Sequence, residues 1–222
     1  ISINNRCLMT FNQKGNKVTN IFSWLTLSSI KYAKPKLKFY FQKTKCSIII
    51  SDENIIKVVS EALQKILLSR ELKSIGWTAL NLPIIHISPF CAMNRILERA
   101  SLQKIKIPSE STERVFSILI YSQPELYIND IPNISSFIDI FFESLPFFPN
   151  LYNIAISNME KFDPYSTLKN YVSYLKDLKR FEIIGPKTDS FSHFFQAFLK
   201  HQHFHLFSVS FRGSELDEKD LT

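Results

Sequence analysis

The sequence predicts an α/β protein in two parts. A small antiparallel sheet closed by one helix comes first. A strand–helix solenoid follows, with a parallel sheet on its concave side and helices on its convex side. Three observations carry this prediction. Short β-type apolar runs fill the chain up to Ile50, the apolar spacing turns helical after Ser51, and one strand pattern recurs at a near-constant interval beyond residue 100. Charge divides the chain too. Residues 1–76 carry 13 Lys+Arg against 4 Asp+Glu, whereas residues 77–222 carry 14 against 16, so all the excess of the +7 chain lies in its first third. A split this sharp points to two surfaces with different partners.

In the first part the apolar runs are Cys7–Phe11, Val18–Phe22, Trp24–Ile30, Leu37–Phe41 and Cys46–Ile50. Gln13-Lys14-Gly15-Asn16 reads as a hairpin turn, because Gly and Asn tolerate positive φ. Lys34-Pro35-Lys36 and Lys43-Thr44-Lys45 read as further connections. After Ser51-Asp52-Glu53, which places two carboxylates at a helix start, Ile55, Ile56, Val58, Val59, Ala62, Leu63, Ile66 and Leu67 recur at helical spacing. One helix of about four turns then closes the sheet.

Lys31, Lys34, Lys36, Lys38, Lys43 and Lys45 crowd into this stretch. Lys36 and Lys38 alternate with Leu37 and Phe39, so a strand here turns its lysines to solvent and its apolar pair to the core. Two readings are open. The lysines contact an anionic membrane or a phosphoinositide, or they protect an edge strand against aggregation. Nucleic acid fits less well, since no arginine-rich stripe or stacking aromatics accompany the charge.

The second part repeats. Its strands read apolar-x-x-apolar-x-apolar at Leu102–Ile107, Glu125–Ile128, Leu151–Ile156, Leu178–Ile183 and Leu206–Phe211. Their central residues, Ile105, Leu126, Ile154, Phe181 and Val209, are separated by 21, 28, 27 and 28 positions. Helical faces lie between them: Ile134, Phe137, Ile138, Phe141, Phe142 and Leu145; then Leu168, Tyr171, Val172 and Leu175 after Asp163-Pro164; then Phe191, Phe194, Phe195, Phe198 and Leu199 after Asp189-Ser190. Ser88-Pro89 opens a similar, shorter helix toward Ala100. A doubly wound enzyme would bury both faces of its strands. Here Lys104 and Lys106, Arg180 and Glu182, and Ser208 and Ser210 flank the central residues, so one sheet face is solvated.

A strand–helix unit of this length with an L-x-x-L-x-L strand resembles the ribonuclease-inhibitor type of leucine-rich repeat, over roughly residues 100–216. The chain departs from that pattern where Asn or Cys usually follows the strand, at Met159, Pro186 and Ser214. A basic sheet-plus-helix domain ahead of such repeats is similar to the start of CARMIL-type cytoskeletal regulators. In those proteins a pleckstrin-homology-like domain precedes a leucine-rich-repeat solenoid. The resemblance implies a partial pleckstrin-homology-like domain over 1–70, a linker and capping helix over 71–100, and repeats over 101–222. It also implies a cytoplasmic scaffold, peripheral at the plasma membrane or cytoskeleton. The unfinished last unit at Ser214–Thr222 suggests an array that continues in a longer protein.

Four scattered glycines make no phosphate-cradling loop, and three widely spaced cysteines match neither a disulfide framework nor zinc spacing. No stretch is long and charge-free enough to span a bilayer. His201, His203 and His205 share one face of an extended segment, yet no nearby carboxylate or cysteine completes a metal set. Cys91, among apolar neighbours, reads as a core thiol. The expectation is a non-enzymatic scaffold with no cofactor, no metal, no nucleic acid and no small-molecule substrate. Its concave columns, Lys104, Glu125, Asn153, Arg180 and Ser208 beside Lys106, Tyr127, Ala155, Glu182 and Ser210, mix charges and suit a protein partner. The alternative is an anionic-phospholipid adaptor with the repeats as its arm.

Overall fold

The computed structural model describes residues 1–33, 35–42, 44–49, 52, 54–77, 88–121, 125–148, 151, 153–157, 163–172, 179–185, 188–200 and 208–213. The chain divides into two compact units, Ile1–Arg99 and Ala100–Thr222.

The first unit holds two three-stranded antiparallel sheets where the sequence predicts one. The first sheet comprises β1 (Ser2–Ile3), β2 (Cys7–Phe11) and β3 (Val18–Ser23), and the second β4 (Leu27–Ala33), β5 (Lys36–Phe41) and β6 (Thr44–Ile49). The division falls at Trp24–Thr26, expected to begin a strand and folded instead as a 3-10 turn. Ser23 Oγ accepts from the Leu25 N–H and the Thr26 hydroxyl donates to the Ser23 carbonyl, so two short polar side chains claim the backbone groups a strand would use. The β2–β3 hairpin turns where predicted, with Gly15 at φ +71 and the Asn12 N–H donating to the Lys17 carbonyl.

Helix α1 (Asn54–Gln64) is three turns rather than four, and Val58 stays exposed. Asp52 stands before its first turn and accepts from the Asn54 N–H at 2.9 Å. Val59, Leu63 and Ile66 are fully buried with Leu8, Trp24, Leu37 and Phe39. Ile75 and Trp77, beyond helix α2 (Ser69–Ser74), belong to the same core. Trp77 Nε1 donates to Ser60 Oγ, and Trp24 Nε1 donates to the Asn4 carbonyl at 2.8 Å, so both indoles are buried with their polar atom satisfied.

Helix α3 (Pro89–Gln103) corrects the reading of Leu102–Ile107 as the first repeat strand. Lys104 sits in the left-handed region at φ 58, its N–H donates to the Ser101 carbonyl, and the Ile105 N–H donates to the Ala100 carbonyl. That pair of bonds is a Schellman stop. The spacing of Leu102, Ile105 and Ile107 therefore marks a helix end with an apolar residue after it. Glycine adopts this conformation without strain, so Lys104→Gly raises stability by about 0.5–1 kcal/mol in chemical denaturation.

Helix α4 (Ser109–Ile120), absent from the sequence reading, follows; its buried side is Ser111, Val115, Ile118 and Leu119. The second unit then builds a four-stranded parallel sheet from β7 (Glu125–Tyr127), β8 (Asn153–Ser157), β9 (Arg180–Ile184) and β10 (Ser208–Arg212), in sequential order. Leu126 pairs with Ile154, Ile154 with Phe181 and Phe181 with Val209, so the central residues stand in register as their spacing predicts. Between the strands lie α5 (Ile138–Ser144), α6 (Pro164–Tyr171) and α7 (Phe191–Lys200).

Rings join these helices to one face of the sheet. Phe181 meets Phe194, while Phe211 meets Tyr165, Phe191, Phe194 and Phe195. Phe142 stacks on Tyr171 between α5 and α6. Asp163 caps α6 as expected, its Oδ1 accepting from the Tyr165 N–H and from the Thr188 hydroxyl, each at 3.0 Å. Leu199, expected on the packed face of α7, is exposed.

Candidate functional site

The sheet face opposite those rings carries the alternate residues of each strand. Register sets two columns across it, Glu125–Asn153–Arg180–Ser208 and Tyr127–Ala155–Glu182–Ser210, and a third, Ser157–Ile184–Arg212. Lys104 and Lys106, predicted to extend the first two columns, are not on the sheet, because α3 and its stop occupy that stretch.

A cleft of about 320 Å³ opens over the middle of this face, lined by Glu125, Tyr127, Asn153, Ala155, Arg180, Glu182, Ile184 and Arg212. Its cause is a size step. Ala155 stands between Tyr127 and Glu182 in one column, and a methyl group between two long side chains leaves a hollow one side chain deep.

The polar rim is partly preorganised. Asn153 Nδ2 donates to Glu125 Oε1 at 2.9 Å, a cross-strand bond that fixes both side chains. Arg212 Nε lies 2.6 Å from Glu182 Oε1, and Glu182 is only 7% exposed. That oxygen has its charge partner but receives no aligned hydrogen bond, so the Glu182 carboxylate keeps accepting capacity inside the cleft. Arg180 is exposed, and among the described residues its guanidinium has no ion-pair partner.

One residue that ties neighbouring strands together was not read from the sequence. Asn129 Nδ2 donates to the Ser157 carbonyl at 3.3 Å and its Oδ1 accepts from the Ser157 N–H at 2.8 Å. Asn129 lies in the 3-10 turn Ile128–Asp130 just beyond β7 and so falls outside the position where a ladder asparagine is sought. Asn129→Ala costs about 1 kcal/mol, water replacing part of two exposed bonds, and speeds amide exchange at Ser157.

The lysine-rich strands of the first unit form a second polar surface. Register places Lys31 opposite Lys38, Lys36 opposite Ala33 and Ile49, and Tyr40 opposite Ser29 and Lys45. Lys31, Lys36, Lys38 and Lys45 therefore share the outer face of β4–β5–β6, all four exposed. Lys34 and Lys43 lie outside the described residues, as do His201, His203 and His205.

Groups suited to catalysis are not assembled among the described residues. Burial pushes the Cys7 and Cys46 thiols above their ordinary value, which disfavours the nucleophilic thiolate. Cys91 is buried, and no cluster of three metal-ligating side chains occurs among the described residues. No described helix is long and apolar enough to cross a membrane. No protein-family model, curated protein or solved structure matches the chain.

Proposed function

We propose that the second unit is a section of a leucine-rich-repeat-type solenoid acting as a non-enzymatic protein-binding scaffold, its partner seated on the solvated columns of β7–β10. The cleft over Ala155 carries this reading. It offers a hollow for one anchoring side chain, rimmed by Tyr127, Arg180 and Arg212, the residue types on which binding energy concentrates. Both charge signs border it, which favours a protein surface over a polyanion.

The in-register spacing of Leu126, Ile154, Phe181 and Val209 and the sequential strand order support the solenoid. The order of parts supports a CARMIL-like setting, a cytoplasmic scaffold of the cytoskeleton or of signalling. Four strands project only about 300 Å², from strand spacing and rise, less than half of one side of a standard interface. Affinity at this face therefore rests on the anchor in the cleft rather than on area.

A displayed peptide library selected on the full chain tests the reading. Ala155→Trp fills the hollow and weakens the selected binders about tenfold or more, and Arg180→Glu does likewise. Lys169→Glu, on exposed α6 surface, leaves them unchanged. Binders indifferent to Ala155→Trp and Arg180→Glu would refute the assignment.

A further inference from the structure

The outer face of β4–β5–β6 is a three-by-three grid: Ser29, Lys31 and Ala33 on β4, Lys36, Lys38 and Tyr40 on β5, Lys45, Ser47 and Ile49 on β6. It holds four lysines and no acidic residue. From this placement we infer that the face is a peripheral docking surface for an anionic lipid bilayer, independent of the protein-binding cleft.

Edge protection does not account for the grid. Lysine guards a sheet at its edge strands, which among the described residues are β4 and β6, yet Lys36 and Lys38 stand on β5, which is paired on both sides. Lys31 and Lys38 face each other directly across β4 and β5, where like charges destabilise a sheet. Each lysine of the grid has another about 5–8 Å away, within about one Debye length at physiological salt, so neighbouring charges are not screened from one another. A face that loses stability to self-repulsion gains when a surface of opposite charge covers it.

The chemistry favours a bilayer over nucleic acid. Lysine supplies point charges rather than bidentate forks, and no arginine stands on the grid. Tyr40, its single aromatic residue, is half-buried with Lys31 Nζ 5.7 Å from its ring centroid, so it offers no free platform for a base. Ile49 is 67% exposed at one corner, an apolar side chain placed to enter the headgroup boundary while the lysines stay at the phosphates.

Vesicle co-sedimentation of the full chain tests this. Phosphatidylcholine vesicles bind little, whereas phosphatidylserine and phosphatidylglycerol at equal mole fraction bind equally, and raised salt releases the protein. Each lysine removed weakens binding about fivefold, so Lys36→Gln with Lys38→Gln loses about 25-fold. Ile49→Ser weakens binding without changing its salt dependence. Lys38→Glu separates binding from folding: it raises the melting temperature by pairing with Lys31, yet its change of two charges weakens vesicle binding about 25-fold. The inference fails if anionic vesicles do not bind, if the lysine variants bind as the parent does, or if duplex DNA binds more tightly than the vesicles.

Discussion

Replacing Glu71 with alanine lowers the unfolding free energy of the first unit by about 3–5 kcal/mol, because it leaves a buried guanidinium without its counter-charge. Arg95 is fully buried, its Nη1 donating to Glu71 Oε2 at 2.9 Å and its Nη2 to Oε1 at 2.8 Å. Nη1 also donates to the Ile66 carbonyl just past α1, and Glu71 Oε2 accepts from the Leu68 N–H ahead of α2. One ion pair thus joins the end of α1, the start of α2 and the body of α3. Arg95→Ala has a comparable cost. Glu71→Leu with Arg95→Met costs far less than the two single changes together, since no charge is left stranded.

The same pair sets an acid limit. Burial pushes the Glu71 carboxyl up, but the Arg95 hydrogen bonds and charge, the Leu68 N–H and Arg99 together outweigh it and hold it below its ordinary value. A carboxyl depressed on folding stabilises the native state above the unfolded-state pKa, and that contribution disappears as pH falls through the folded value. Denaturation midpoints therefore drop on acidification below about pH 4.5. Glu71→Gln removes this part of the slope.

Phe194→Ala is the corresponding lesion in the second unit, costing about 3–5 kcal/mol. Phe194 is fully buried on α7, its ring 5.8 Å from Tyr165, 6.2 Å from Phe181 and 6.0 Å from Phe198. Its loss opens a cavity between two helices and the sheet, directly behind the strand that presents Arg180 and Glu182. Chemical denaturation reads the stability loss. Binding at the cleft weakens with it, because β9 loses the packing that holds its outer side chains in place.

Alternation and spacing made the outer columns of β7–β10 legible, since three near-equal intervals fix the register and register fixes the faces. The same pattern failed at Leu102–Ile107 because a helix end followed by an apolar residue reproduces it. Helix α4 went unseen because Ser109–Arg114 is hydrophilic and its apolar side is short. Alternation put Lys36 and Lys38 in solvent, but their convergence with Lys31 and Lys45 needed the pairing of three strands. The Arg95–Glu71 pair left no trace at all, because nothing local marks two charges on different helices as buried partners.

The most direct test of the scaffold reading is photocrosslinking in cells that make the protein, with a photoreactive amino acid at Tyr127 or, for comparison, at Lys169 on α6. The account predicts adducts with a defined protein partner from position 127, lost with Arg180→Glu, and none with that partner from position 169. Equal adducts from both positions, or adducts from position 169 alone, would contradict it.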